Sequence, residues 1–519
     1  LGANNIGIFI DGRPMNEPLN GIADINFIPT EMIERVEIIP APRSFLYGMN
    51  SNAVAINIIT KSYNSQIPYS RIKYTEGAYE EGLFDGILAH NLSRNLNLSV
   101  GVQRRSTDGR YENSADDEWS VRSKLRWNVS EKFNVELLQL YNKQKVGLFG
   151  GINPDSSQDI YDPNFSVVEN PNEKKNLTRW DWQVNGIGKF FTDSLAVTIF
   201  SIYTNKDSKS YKELDEIFHE NFIDINNRGI YLEQGININP LLIEGGVSAR
   251  NWGYHSFSSQ YSNDYDETYK SIFGKIEMPF TPLLRVSLIG KTINNSNSDK
   301  WIPNYTQQYL GGDISIGKKD ALSGKIGISS QTFDKYESDE NLYLELLLPI
   351  KTSLTINVRS LFLGNVSNFQ IYIDYYISKF QFNTAFKFGD ENYGSIPSIE
   401  LIEGILPPFP NVKSYWINFD ALYKDVLFDD HLKIETGLRG KFIYRNGDYI
   451  WFSEVVDHLE KERLKGFTGT LDFLFFAKLG DAVVHFTIEN IFNTKYYVVP
   501  FYPMPDRNLR LGVTWEFLN

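Results

Sequence analysis

From Arg507 to Phe517 the chain alternates. Leu509, Leu511, Val513, Trp515 and Phe517 are apolar, and Asn508, Arg510, Gly512, Thr514 and Glu516 stand between them. A strict period of two makes one face greasy and the other polar, as in a half-buried strand; a helix would need apolar neighbours three and four apart. The length suits a tilted strand crossing a bilayer, which takes about 10 residues. The same pattern recurs upstream. Leu96, Leu98, Val100 and Val102 alternate with Asn97, Ser99, Gly101 and Gln103, and Leu354, Ile356 and Val358 with Thr355, Asn357 and Arg359. Counted from Tyr69 to Phe517, the segments number about 22, the strand number at which barrels enclose a plugged lumen.

The connections carry a second, independent signal. Every other linker is short, as at Ser93-Arg94, Ser130-Glu131, Pro240, Thr281, Ser378-Lys379 and Lys478-Leu479. The linkers between them are mostly long and polar: 147–176, 207–227, 253–267, 390–411 and 446–463. Leu363 to Val366 breaks the pattern by being short. Short turns at one end and long loops at the other predict an outer-membrane barrel. A sandwich or propeller would mix loop lengths at both ends.

Residues 1–67 do not alternate in this way. Ile6 to Asp11 reads as a buried strand closed by a turn at Gly12. Pro29 to Arg35 reads as a short helical turn with Thr30 as N-cap, Val36 to Ile39 as a strand ended by Pro40 and Pro42, Ser44 to Tyr47 as a second turn, and Ala53 to Thr60 as a further strand. Such a unit has too little apolar surface to stand alone and is expected to pack inside something else. The predicted organisation is a partial α/β plug over 1–67 and a transmembrane β-barrel over 68–519.

Composition narrows the function. A net charge of −13 on 519 residues makes a nucleic-acid binder a poor guess. The absence of cysteine excludes disulfides, thiolate metal sites and thiol catalysis. Aromatic residues reach 14%, with 30 Tyr and 35 Phe, enough to furnish interfacial girdles. No apolar run reaches the length of about 18 residues that a transmembrane helix needs. No Gly-x-Ser-x-Gly elbow or His-Glu-x-x-His motif occurs, and the six His are scattered, so no enzyme is expected.

Four pieces in fixed order carry a family resemblance: Ile10-Asp11-Gly12-Arg13-Pro14; Ile28-Pro29 followed by Ile33-Glu34-Arg35-Val36-Glu37-Ile38; Leu46-Tyr47-Gly48; and Ile56-Asn57-Ile58-Ile59-Thr60-Lys61. They resemble the second half of the plug of TonB-dependent outer-membrane receptors. The ending agrees: Glu489-Asn490-Ile491-Phe492-Asn493, then Tyr502-Pro503-Met504-Pro505-Asp506-Arg507, is similar to the family's closing motif, with Asp506 in place of a Gly. Pro40-Ala41-Pro42 stands where the family has Arg-Gly-Pro, and Val54-Ala55 where it has Gly-Gly. The family's first plug half, with the TonB box, has no counterpart in the residues given. The opening Leu1-Gly2-Ala3-Asn4-Asn5 lacks Met and a basic stretch, as expected where processing or truncation has removed the start.

The resemblance implies an outer-membrane, ligand-gated importer of a scarce nutrient, such as a ferric siderophore, cobalamin or another metal chelate. The TonB–ExbB–ExbD complex would pull the plug, and the barrel-assembly machinery would insert the chain into lipid. The alternative is a passive porin-like or adhesin-like barrel that keeps a remnant plug and no TonB coupling. By resemblance, Arg13 belongs to the ligand floor, and Arg43, Asn50 and Asn52 border a turn that faces the same way. Loop aromatics, among them Tyr161, Phe165, Trp301, Tyr305, Phe409, Tyr415, Trp416 and Trp451, are candidates for stacking on ligand. A polar plug in a polar lumen needs its charges matched. Glu34 and Arg35 are therefore expected in plug–barrel ion pairs, with Glu489 or Glu516 opposite. No resident cofactor is expected. Asp155, Asp159 and Asp162, near Asp108, Asp116 and Asp117, are the one candidate set of oxygen ligands for Ca²⁺, without EF-hand spacing.

Overall fold

The computed structural model describes residues 6–18, 21–48, 51–63, 67–189, 196–213, 219–257, 262–298, 304–317, 322–333, 336–351, 354–363, 366–392, 411–429, 431–453, 458–499 and 501–518. Four short strands come first: β1 (Ile6–Ile10), β2 (Arg13–Pro14), β3 (Ile33–Pro40) and β4 (Val54–Thr60). They form one small sheet in the order β2-β1-β4-β3. β1 runs parallel to β4, and β3 antiparallel to it. The helical part of this unit is slighter than the sequence suggests: 3-10 turns at Ile25–Phe27, Thr30–Met32 and Arg43–Leu46. Thr30 is not a cap; it lies inside its turn, Pro29 precedes it, and no side chain caps the turn.

The rest is a closed antiparallel barrel of 22 strands. It opens with β5 (Tyr69–Glu76), β6 (Gly82–Ser93), β7 (Leu96–Thr107), β8 (Asp116–Ser130), β9 (Phe133–Gly147), β10 (Lys174–Gly188) and β11 (Ala196–Glu213). It closes where Asn508–Leu518 pairs back onto β5. Closure leaves no unpaired edge, which a strand in lipid could not tolerate. The alternation sorts as expected. Leu509, Leu511, Val513 and Trp515 are 40–54% exposed around the outer wall, while Asn508 and Arg510 face the lumen.

One feature of the connections differs from expectation. Three of the segments that read as loops, at 207–227, 253–267 and 446–463, are largely strand. β11 runs on to Glu213, its partner begins at His219, and the hairpin of Leu432–Ser453 with His458–Leu479 has arms of 22 residues each. Polar sequence suggests a loop, yet a neighbouring strand that supplies the backbone ladder keeps it extended beyond the apolar band.

The small sheet sits inside the barrel. Its own apolar set, Ile10, Met15, Ile28, Met32 and Ile58, is completed by Leu138 and Leu140 of β9. The plug thus borrows its core from the wall.

Candidate functional site

The seam between plug and wall is built from buried charges. At the first turn Asp11 and Gly12 adopt positive φ of 46° and 82°. The Asp11 carboxylate accepts hydrogen bonds from the Thr60 amide and hydroxyl, and Asn57 Oδ1 accepts from the Gly12 amide. This pins the turn against β4 and projects Arg13 sideways. Its guanidinium meets Asp181 of β10 at 2.6 Å, with both side chains buried. Arg179 takes the other Asp181 oxygen at 3.0 Å and reaches Asp207 at 3.3 Å. Two cations and two anions balance, which is what permits charge in so dry a place. Arg13 is therefore no ligand floor, because its side chain is 1% exposed and committed to the wall.

Three further plug residues make charge contacts across the seam. Glu17 binds Lys209 at 2.5 Å. Glu31 binds Arg71 at 2.8 Å and Lys73 at 2.7 Å, and Arg71 shares Asp85 with Arg122. Arg43 binds Asp313 at 2.7 Å and Glu277 at 3.1 Å. Arg43 thus faces the wall towards the short-turn end, not the outer mouth. Around it the wall forms a socket. A Cβ added at Gly311 or Gly327 would lie 2.6 or 2.7 Å from Pro42, so only bare backbone fits against that ring. Phe45 packs on Tyr309 at 4.7 Å. The Lys291 amine donates to the Phe45 and Leu46 carbonyls at 2.8 and 3.2 Å. The Tyr309 hydroxyl reaches Asn52 Oδ1 at 3.5 Å.

The pairing expected of Arg35 does not form. Arg35 is 56% exposed and binds Glu37 and Glu34 of its own strand at 2.8 and 3.5 Å. Glu489 is held by Arg510 at 3.0 Å, and Glu516 accepts from the Tyr69 hydroxyl. β3 is the outer strand of the plug sheet, so its side chains reach each other before any wall residue, while the two wall carboxylates have nearer donors. The plug carboxylates that do cross, Glu17 and Glu31, belong to turns rather than to β3.

At the long-loop end the plug presents the stretch from Gly21 to Phe27. Ile22 and Ile25 are exposed, and Asn26 Oδ1 accepts from Arg105 at 3.2 Å. Arg105 in turn holds Asp116 and Glu118. This stretch, not Arg13, is the outward surface of the plug. Above it the segments 108–115, 148–173 and 490–507 pack on one another around Tyr111, Ile152 and Val168. Arg110 binds Asp506 at 2.5 Å and donates to the Met504 and Tyr161 carbonyls. Burial pushes the Tyr111 hydroxyl up to about 12.

The aromatic candidates divide. Tyr161 stacks on Tyr497 within this cap and has Lys495 over its ring. Phe165 is exposed. Tyr415 is 47% exposed beside Ile417 on the outer wall and so faces lipid rather than ligand, whereas Trp416 points into the lumen. Tyr305 lies where Asn304 leads into Thr306–Gly317, and its carbonyl accepts from the Asn295 amide. Asn50, Trp301 and Phe409 lie outside the described residues, as does the side chain of Trp451. The loop aspartates do not converge: Asp159 and Asp162 accept from the amides two residues on. Among the described residues no three acidic or His side chains are placed to hold a metal.

Two family models match. The TonB-dependent receptor plug domain covers residues 1–55, and the putative porin model covers 43–392, most of the chain. The chain belongs to the putative porin family. This putative porin carries the plug of a TonB-dependent receptor, and the recognition drawn from the plug and closing motifs holds. The ferric enterobactin receptor of Pseudomonas aeruginosa is 22% identical over 271 residues, 44% of this chain and 35% of that protein. The vitamin B12 transporter BtuB of Vibrio vulnificus is 41% identical over 63 residues, 12% and 10%. The matched stretches thus span about a third of the curated relatives' length or less. Among solved structures, the siderophore receptor PirA from Acinetobacter baumannii superposes with a TM-score of 0.77 at 12% identity, over 99% of this chain and 91% of that one. The copper transporter OprC gives 0.75 at 11%, over 100% and 91%. These confirm the fold of a plugged 22-stranded barrel. The putative porin is an outer-membrane protein, so its long loops are extracellular and its short turns periplasmic. Its relatives are named as receptors and transporters, in keeping with a chain that lacks catalytic motifs.

Proposed function

We propose that this chain works as an outer-membrane, ligand-gated importer of a scarce nutrient of the metal-chelate class, with its plug displaced through TonB, ExbB and ExbD. What supports the reading is the character of the seam. The plug is tied to the wall at Arg13, Glu17, Glu31 and Arg43 by discrete ion pairs, and its apolar contacts with the wall are two small separate clusters, one with Leu138 and Leu140 of β9 and one of Ala41 and Phe45 with Ile293 and Tyr309. Replacing ion pairs by hydration costs far less than exposing a continuous core, so the plug can move while the barrel stays closed. The relatives named for ferric enterobactin and vitamin B12 point to chelates as cargo. The test is uptake of labelled ferric siderophores and cobalamin by cells carrying the chain, with and without a protonophore. Uptake that ignores the protonophore, or none for any chelate, overturns the reading.

The putative porin match across 43–392 favours a second reading, passive diffusion past a fixed plug. Planar-bilayer conductance separates the two. A plugged importer is silent without an energy source, and a porin conducts small ions at once.

A further inference from the structure

The ion pairs that hold the plug fall on wall residues between Arg71 and Asp313. On later strands the wall has a hollow of its own. Val366–Ile377, Phe380–Asn392, Asn411–Leu427 and Leu432–Ser453 are consecutive neighbours. Their inward side chains align in rungs. Gln370, Lys387 and Trp416 are direct partners in one rung, and Tyr372, Ala385 and Asn418 in the next towards the periplasm. Ala385 and Gly389 are too short to fill the surface between their neighbours. A cavity of about 640 Å³ opens there, bounded by Tyr372, Lys387, Trp416, Asn418 and Arg439.

The chemistry of this hollow is specific. Arg439 is neutralised by Asp420 at 2.7 Å. Lys387, in contrast, belongs to none of the ion pairs among the described residues and is only partly exposed; the other lining charge outside those pairs, Asp374, stands two rungs away opposite Asn383. An unneutralised ammonium in a recess calls for an anion. Beside it the Trp416 ring is fixed by the Arg445 guanidinium 5.5 Å from its centroid, which gives a rigid flat platform. Asn383 and Asn418 add amides, each able to donate and accept, which suits hydroxyl groups. The volume falls within the range of about 300–1,000 Å³ typical of small-molecule sites.

We infer that this hollow is a binding site for a small hydroxylated anion of the sugar-acid class, with Lys387 holding the carboxylate, Trp416 stacking on the ring, and Asn383 and Asn418 bonding its hydroxyls. The site is carried wholly by the barrel, so it stands whether or not the plug is driven by TonB. It lies on the lumen wall where a solute passing the plug would meet it.

Calorimetric titration of the purified full chain in detergent tests this, with digalacturonate compared against the neutral disaccharide cellobiose. The expected result is tighter binding of digalacturonate by about tenfold, the discrimination of one charge-assisted contact. K387Q should reduce that preference to within about twofold, K387R should keep it, and W416L should weaken both sugars. Heat-modifiable gel mobility verifies that each variant is a folded barrel. No binding of digalacturonate by the unaltered chain, or an undiminished preference in folded K387Q, overturns the assignment. Neither result bears on chelate uptake, which is read separately in cells.

Discussion

Arg13 of the plug and Asp181 of the wall meet at 2.6 Å with side chains 1% and 2% exposed, the most deeply buried contact between the two parts of the molecule among the ion pairs described. Arg179 completes the charge balance. Arg13→Ala leaves Asp181 with one cation and opens a gap beside a buried carboxylate. Loss of one partner of such a pair costs about 3–5 kcal/mol. The loss should appear as faster proteolysis of the plug in detergent, while the heat resistance of the barrel is unchanged. Combining R13A with Asp181→Asn should restore part of the protection, since no buried charge is then short of a partner.

Glu31 makes plug docking sensitive to acid. Burial works to raise its carboxyl, but the hydrogen bond from Lys73 and the charges of Lys73 and Arg71 outweigh it, so the folded value lies below the ordinary 4.5. A group depressed on folding contributes stability that is present above its unfolded value and lost as pH falls through its folded one. Plug protection, followed by hydrogen exchange of β3 and β4, should therefore hold at neutral pH and decline below about pH 4.5. Glu31→Gln should be weaker at neutral pH and flatter across the acid range.

The Pro42 socket predicts a steric effect with no change in charge. Gly311→Ala places a methyl 2.6 Å from Pro42 Cβ, and Gly327→Ala one 2.7 Å from Cδ and 3.1 Å from the Ala41 carbonyl. Overpacking of this kind costs about 1–3 kcal/mol. Both variants should assemble as barrels yet release the segment around Arg43, read as faster exchange of the Phe45 and Tyr47 amides.

Arg110 and Asp506 tie the extracellular cap together. Asp506→Gly, which restores the residue of the closing motif it otherwise resembles, removes that tie and leaves Arg110 with carbonyl acceptors alone. The segment 148–173 should become cleavable by external protease on whole cells, with barrel thermal stability changed by less than about 1 kcal/mol. An uncleaved cap would show that the Tyr111, Ile152 and Val168 cluster suffices.

Alternation made the barrel legible. Period two is a local property, and in a bilayer it is also the global rule, because every wall residue faces either lipid or lumen. Linker lengths gave the direction of the strands for the same reason. The polar hairpins at 207–227, 253–267 and 446–463 were misread because a ladder to a neighbouring strand leaves no mark in one strand's composition. Trp416 was visible as a lumen residue only once its register was known; its neighbour Tyr415 differs from it by one position and faces the opposite way.

The residues alone therefore determined a plugged cylinder in a membrane, since hydrophobic periodicity and turn chemistry are written residue by residue. Which charge meets which was decided by the tertiary structure. Arg13 and Asp181 lie 168 positions apart, and Arg35 is kept from the wall by the closeness of Glu37. Ion pairing depends on distance in space, and only closure of the barrel around the plug sets those distances.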